Sequence, residues 1–106
     1  MDALTDVTEA MTERELLEWI LAYAEGHGWR IYHVFDMFQY AKRTSKGFPD
    51  LVLVRDGVLI FAEVKSQRGR VSPPQQGWLG DLMKVVGVET YLWRPSDRDE
   101  IERMLA

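Results

Sequence analysis

Cysteine is absent from the 106-residue chain, which excludes disulfides and thiolate metal sites and gives no argument for an oxidising compartment. No apolar run approaches the roughly 20 residues that a membrane-spanning helix needs. The first residues, MDALTDVTEAMTERE, are acidic and lack the apolar stretch of a signal peptide, so a cytoplasmic protein is expected. Internal repeats, low-complexity tracts and interdomain linkers are also missing. An overall basic charge is lacking too, since the formal net charge is −4.

What is present is ordinary for a soluble globular protein: 46% hydrophobic and 28% charged residues. A chain of this length is expected to form a single domain, with residues 1–11 as a flexible N-terminal stretch. The average charge hides an asymmetry. Residues 1–41 carry a net of −6, residues 42–70 a net of +4, and residues 71–106 a net of −2. The basic stretch, Lys42, Arg43, Lys46, Arg55, Lys65, Arg68 and Arg70, is a candidate phosphate-binding surface, though on charge alone a solvated loop and strand edge is the better reading.

Thr12 to Glu15 reads as a capping box ahead of a helical stripe of Leu16, Leu17, Ile20, Leu21 and Ala24. Gly26 and Gly28 end that helix through a left-handed cap. RIYHVFD, from Arg30 to Asp36, has strand composition, and Phe38 to Gly47 reads as a loop. Leu51 to Val54 and Val58 to Val64 form a hairpin turning at Asp56-Gly57. Ser72-Pro73-Pro74-Gln75 starts a second helix, with Trp78, Leu79, Leu82 and Val86 as its buried face. Val88 to Trp93 is a strand that a crossover returns parallel, and Ser96 is expected to cap a short last helix. The predicted order is αβββαβα, an α/β fold.

Within the hairpin three chemical groups converge. Asp50 begins one strand, and Glu63 and Lys65 lie near the end of its partner on the same face as Leu59 and Phe61. Two carboxylates so placed suit a hard divalent cation. A nearby lysine can orient water or steady charge on a phosphate. The plain alternative is a cross-strand ion pair of Asp50 or Glu63 with Lys65.

The wider pattern, GFPDLVLV, LIFAEVKSQRGRVSPPQQGWL and YLWRPSD, resembles the VRR-NUC family of PD-(D/E)xK nucleases from about Thr12 to the end of the chain. Pro49-Asp50 with Glu63-Val64-Lys65 matches the superfamily signature. Gly69, Ser72-Pro73, Gln75, Trp78 and Trp93-Arg94-Pro95 narrow it to the family. The resemblance implies a restriction-endonuclease-like αβββαβ core, a mixed sheet flanked by helices. It implies an endodeoxyribonuclease that uses Mg²⁺ or Mn²⁺ and leaves 5′-phosphate and 3′-hydroxyl ends.

By the same resemblance Asp50 and Glu63 are metal ligands with the carbonyl of Val64, and Lys65 is the catalytic lysine. Gln75 would hold the site or touch DNA; the alternative, of equal weight, is that it only completes the cap with Ser72, and the two are compatible. A first-helix acid is implied as well. Glu13 extends the inward stripe whereas Glu15 sits where the capping box uses it, so Glu13 is chosen. Lys42, Arg43, Lys46, Arg68 and Arg70 are the expected DNA contacts, with Ser45 beside them. His27 reads as a solvated turn residue, His33 as structural, and the four tryptophans as core. With no recognition module, branched DNA read by shape is the expected substrate, and a homodimer the expected assembly. The alternative is a catalytically weak or inactive DNA-binding module that uses the nuclease fold as a scaffold.

Overall fold

The computed structural model describes residues 11–34 and 42–106, and for Lys42 and Arg43 the backbone alone. The first helix, α1 (Glu13–Gly26), starts as its sequence dictates. Thr12 Oγ1 accepts from Glu15 N, and Glu15 Oε1 accepts from Thr12 N, both at 3.0 Å. It ends where Gly28 takes φ +83° and the amides of His27 and Trp29 both return to Ala24 O.

Strand β1 (Arg30–His33) follows, shorter than the predicted run. The backbone continues the ladder one step, with Val34 N on Asp50 O at 2.8 Å. Phe35 and Asp36 lie outside the described residues, as do residues 1–10. The basic segment expected as loop contains a one-turn helix, α2 (Lys42–Ser45). Strands β2 (Leu51–Arg55) and β3 (Val58–Val64) pair antiparallel across the Asp56-Gly57 turn. There φ is +48° and +81°, the left-handed pair that a two-residue hairpin requires.

Helix α3 (Pro73–Met83) carries the predicted Ser72–Gln75 box. Its exit differs from expectation. The helix stops at Met83, so Val86 falls in the following turn and is 97% exposed instead of buried. Strand β4 (Glu89–Trp93) then pairs parallel to β3. A 3₁₀ turn (Pro95–Asp97) leads into α4 (Arg98–Leu105). Ser96 does not cap α4. It lies inside the 3₁₀ turn, where Asp97 accepts from Arg94 N and the side chain of Ser96 is bound to Gln67.

The sheet order is β1-β2-β3-β4, a mixed sheet flanked by helices. One face is the core. Leu51 and Leu53 of β2, Ile60, Ala62 and Val64 of β3, and Trp93 of β4 meet Leu16, Ile20 and Ala24 of α1 and Ile101 and Leu105 of α4. Each leucine, isoleucine or valine among them contributes about 1.5–3 kcal/mol on full burial. Trp29 is in the core and Trp19 packs at its margin. The other face carries Val52, Phe61 and Glu63. Phe48 meets Phe61 and Trp78 there edge-on, with centroids 5.8 and 4.9 Å apart. No helix among the described residues is long and apolar enough to cross a membrane.

Candidate active site

The hairpin register sets the site. Leu51 pairs with Ala62, which places Asp50, one step before β2, opposite Glu63. Asp50 is locked by its own hydrogen bond, Oδ2 accepting from Val64 N at 2.9 Å. The side chain of Val64 is in the core, so its backbone alone faces the chemistry.

Glu63 is 2% exposed, the sole charged side chain in the buried set of the described residues. Two groups address its Oε2: Gln75 Nε2 at 2.7 Å and Lys65 Nζ at 3.8 Å. Its Oε1 is buried with no hydrogen-bond partner among the described residues. A buried carboxylate in that state is costly when ionised. Burial, and then the facing Asp50, push Glu63 up to about 8 against the pull of Lys65, with Glu13 adding in the same direction.

Gln75 does both things the sequence allowed. Its Oε1 accepts from Ser72 N at 2.8 Å while its Nε2 holds Glu63. The two first-turn acids of α1 separate as well. Glu15 is occupied by Thr12, whose hydrogen bonds lower its pKa, whereas Glu13 is near enough for its charge to act on Glu63.

The basic residues divide. Lys65 is at the site. Arg70 is exposed on a depression that it shares with Ser72, Pro73, Gln76 and Arg94 at the start of α3. Arg68 and Lys46 are exposed too. The side chains of Lys42 and Arg43 lie outside the described residues. Arg55 does not join this surface. It sits at the far end of β2 from Asp50, where it donates to His27 O, Leu105 O and Ala106 O and lies 4.4 Å over Trp29.

One contributor was not foreseen. Gly47, at φ +86°, lies against the first turn of α3, where an added Cβ would come within 2.4 Å of Pro74 C and 2.6 Å of Gln75 N. The strand bearing Asp50 and the helix bearing Gln75 are thus brought together through a residue with no side chain. A glycine before Phe-Pro-Asp signals a turn, but no local pattern names the helix that packs on it.

Among the described residues no three His, Asp or Glu side chains gather as a metal cage. A cation here would rest on two carboxylates, a backbone carbonyl and water. That donor set suits Mg²⁺ or Mn²⁺, since Mg²⁺ usually binds through one or two carboxylates and keeps several waters. The unpartnered Oε1 of Glu63 fits the same occupant.

A comparison with curated proteins finds no match. The family model of the VRR-NUC domain matches residues 6–94, which covers both strands of the hairpin, α3 and β4. The chain belongs to the VRR-NUC domain family, a family of nucleases.

Proposed function

We propose that the protein hydrolyses DNA phosphodiester bonds with Mg²⁺ or Mn²⁺ as an endonuclease of the PD-(D/E)xK type. The observation that carries this reading is Glu63: a buried carboxylate opposite Asp50, beside Lys65, with one oxygen that no group among the described residues satisfies. Burying such a group is a poor way to stabilise a fold, and it makes sense where a cation takes the free oxygen.

Asp50, Glu63 and the Val64 carbonyl would hold the ion. When bound, it would supply Lewis-acid polarisation of the phosphate and a more acidic water. The protein's own groups do the rest. Lys65 orients the attacking water and steadies charge on the phosphate. Gln75 holds Glu63 at its Oε2, which leaves Oε1 for the ion. Glu13 acts on the site from α1 as a further acid. Phe48, Phe61 and Trp78 wall the sheet face beside the carboxylates and limit water there. Lys42, Arg43, Lys46, Arg68 and Arg70 take the DNA backbone as phosphate contacts that carry no base preference. A surface this small orients branched DNA best as a homodimer, with two sites related by a two-fold axis.

The test is cleavage of a panel of linear, flapped and four-way DNA with Mg²⁺ or Mn²⁺, beside the Asp50→Ala and Glu63→Ala variants, with light scattering for assembly. Metal-dependent cutting by the native protein alone, strongest on branched DNA, is expected. Cutting in excess chelator would overturn the mechanism. Salt-dependent binding without any cutting would favour the inactive module. A monomer that cuts all substrates equally would remove the dimer and the branch preference.

A further inference from the structure

The segment Trp93-Arg94-Pro95 takes no part in the chemistry above, yet Arg94 is tied to the catalytic strand. Its Nη1 donates to three carbonyl oxygens: Ser66 at 2.7 Å, Gln67 at 3.2 Å and Gly69 at 2.8 Å. All three belong to the turn that follows Lys65. That turn is also closed on itself, with Gly69 N on Ser66 O at 3.1 Å. Carbonyl dipoles converging on one point repel one another, and a shared guanidinium turns the repulsion into charge-assisted hydrogen bonds.

A second tie runs beside the first. Gln67 donates through Nε2 to Ser96 Oγ at 3.1 Å and accepts through Oε1 from Ser96 N at 3.0 Å. The anchoring side is itself fixed, because Pro95 is buried and Asp97 Oδ2 accepts from Arg94 N at 2.8 Å. The turn folds back on the catalytic side chain. A Cβ built on Gly69 would lie 3.5 Å from Lys65 Cδ and 2.9 Å from Ser66 Oγ. Where this turn sits therefore decides where the Lys65 stem runs. Beyond it the chain enters Ser72, whose N donates to Gln75 Oε1, and Gln75, whose Nε2 donates to Glu63 Oε2.

We infer that Arg94 is a positioning residue for the nuclease reaction. With Gln67 and Ser96 as a second tie, it holds the Ser66–Gly69 turn against Lys65 and so fixes the ammonium over the site. The inference rests on the nuclease reading. Arg94 acts through Lys65, and its Nη1 points at carbonyls instead of phosphate.

The experiment compares native protein with Arg94→Met, Arg94→Lys and Gln67→Ala. Gln67→Ala removes the second tie alone and strands no charge, so it keeps the idea testable if Arg94→Met folds poorly. Three quantities are read: amide hydrogen exchange of the turn without DNA, kcat and KM for cleavage, and the salt dependence of duplex binding in chelator. Arg94→Met is expected to speed exchange at Gly69 and lower kcat about ten- to a hundredfold. KM should change far less, and the salt slope should stay as it was. Gln67→Ala should show the same pattern more weakly. Arg94→Lys should recover part of the loss, because an ammonium one atom shorter still donates to carbonyls. A salt slope smaller by about one would make Arg94 a phosphate contact and overturn the inference. Unchanged exchange, or native kcat in Arg94→Met, would overturn it as well. A native protein that does not cut sinks the nuclease reading and this role together, whereas an active native protein with an equally active Arg94→Met sinks this role alone.

Discussion

Gln75 joins the start of α3 to the buried carboxylate of Glu63: its Nε2 donates to Glu63 Oε2 at 2.7 Å while its Oε1 closes the helix cap on Ser72 N at 2.8 Å. The capping box orients the amide, and the amide orients the carboxylate. The two roles can be separated. Ser72→Ala removes the hydroxyl that accepts from Gln75 N but leaves the backbone amide on which Gln75 rests. It should cost about 1 kcal/mol of stability and change turnover little. Gln75→Ala also strips a donor from a buried carboxylate, a loss of about 1–3 kcal/mol. Turnover should then fall about ten- to a hundredfold. Thermal unfolding and cleavage rates decide it, and equal turnover in the two variants would refute the shared role.

Glu63 gives the metal-free protein a pH dependence of definite sign. Its folded value of about 8 lies above its ordinary 4.5, so the folded chain keeps a proton that the unfolded chain releases. Stability should fall as pH rises from 4.5 to about 8 and level off above that. Unfolding in chelator across that window, against Glu63→Gln, isolates the effect. The variant should lack this part of the slope, and Mn²⁺ at pH above 8 should restore the native protein. A native slope no steeper than that of Glu63→Gln would show that Glu63 ionises normally.

Lys65 lies 3.8 Å from Glu63 Oε2. Its charge favours ionised Glu63 but repels an incoming cation, and the two effects oppose each other in metal binding. Lys65→Met should therefore keep Mn²⁺ affinity within about tenfold while turnover drops about 100-fold or more. Calorimetric titration beside single-turnover cleavage checks both. A loss of metal affinity equal to that of Glu63→Ala would assign Lys65 to ion binding.

Much of this was legible because it is local. The Thr12–Glu15 and Ser72–Gln75 boxes, the Asp56-Gly57 turn and the alternation through Glu63 and Lys65 each follow from neighbours a few residues apart. What escaped was long-range. Arg55 and Arg94 are both basic residues near strand ends, yet one is spent on the carbonyls of two helix ends and the other on the turn after Lys65. Composition cannot tell a phosphate contact from a carbonyl anchor. Val86 continued the apolar spacing of α3, but the helix stopped at Met83 before reaching it.

Glu13 and Glu15 are told apart by what already holds them. Glu15 is bound to Thr12 N, and glutamine closes a capping box as well, so Glu15→Gln should be nearly silent. Glu13 contributes its charge to the Glu63 site, and Glu13→Gln should lower turnover about tenfold. Cleavage rates at matched stability test this. The reverse order would move the functional acid to Glu15.

Gly47 and Gly77 predict opposite outcomes for one substitution. At Gly77, inside α3, an added Cβ meets nothing within 4 Å among the described residues. Gly77→Ala should therefore stabilise the protein by about 0.5–1 kcal/mol through helix propensity. At Gly47 the same methyl would press to 2.4 Å from Pro74 C at a φ of +86° that alanine resists. Backbone cannot yield as a flexible side chain can, so either the turn before Asp50 or the first turn of α3 must shift. Either shift pulls Gln75 and Asp50 apart, and both address the Glu63 site. Gly47→Ala should thus lose more than about 2 kcal/mol, which for a domain near this size lowers Tm by roughly 10 °C, and its residual turnover should be poor even below the transition. Scanning calorimetry of the pair, with cleavage measured well below each Tm, reads both effects. A Gly47→Ala protein as stable and as active as the native one would mean that this glycine does not bring α3 onto the Asp50 strand.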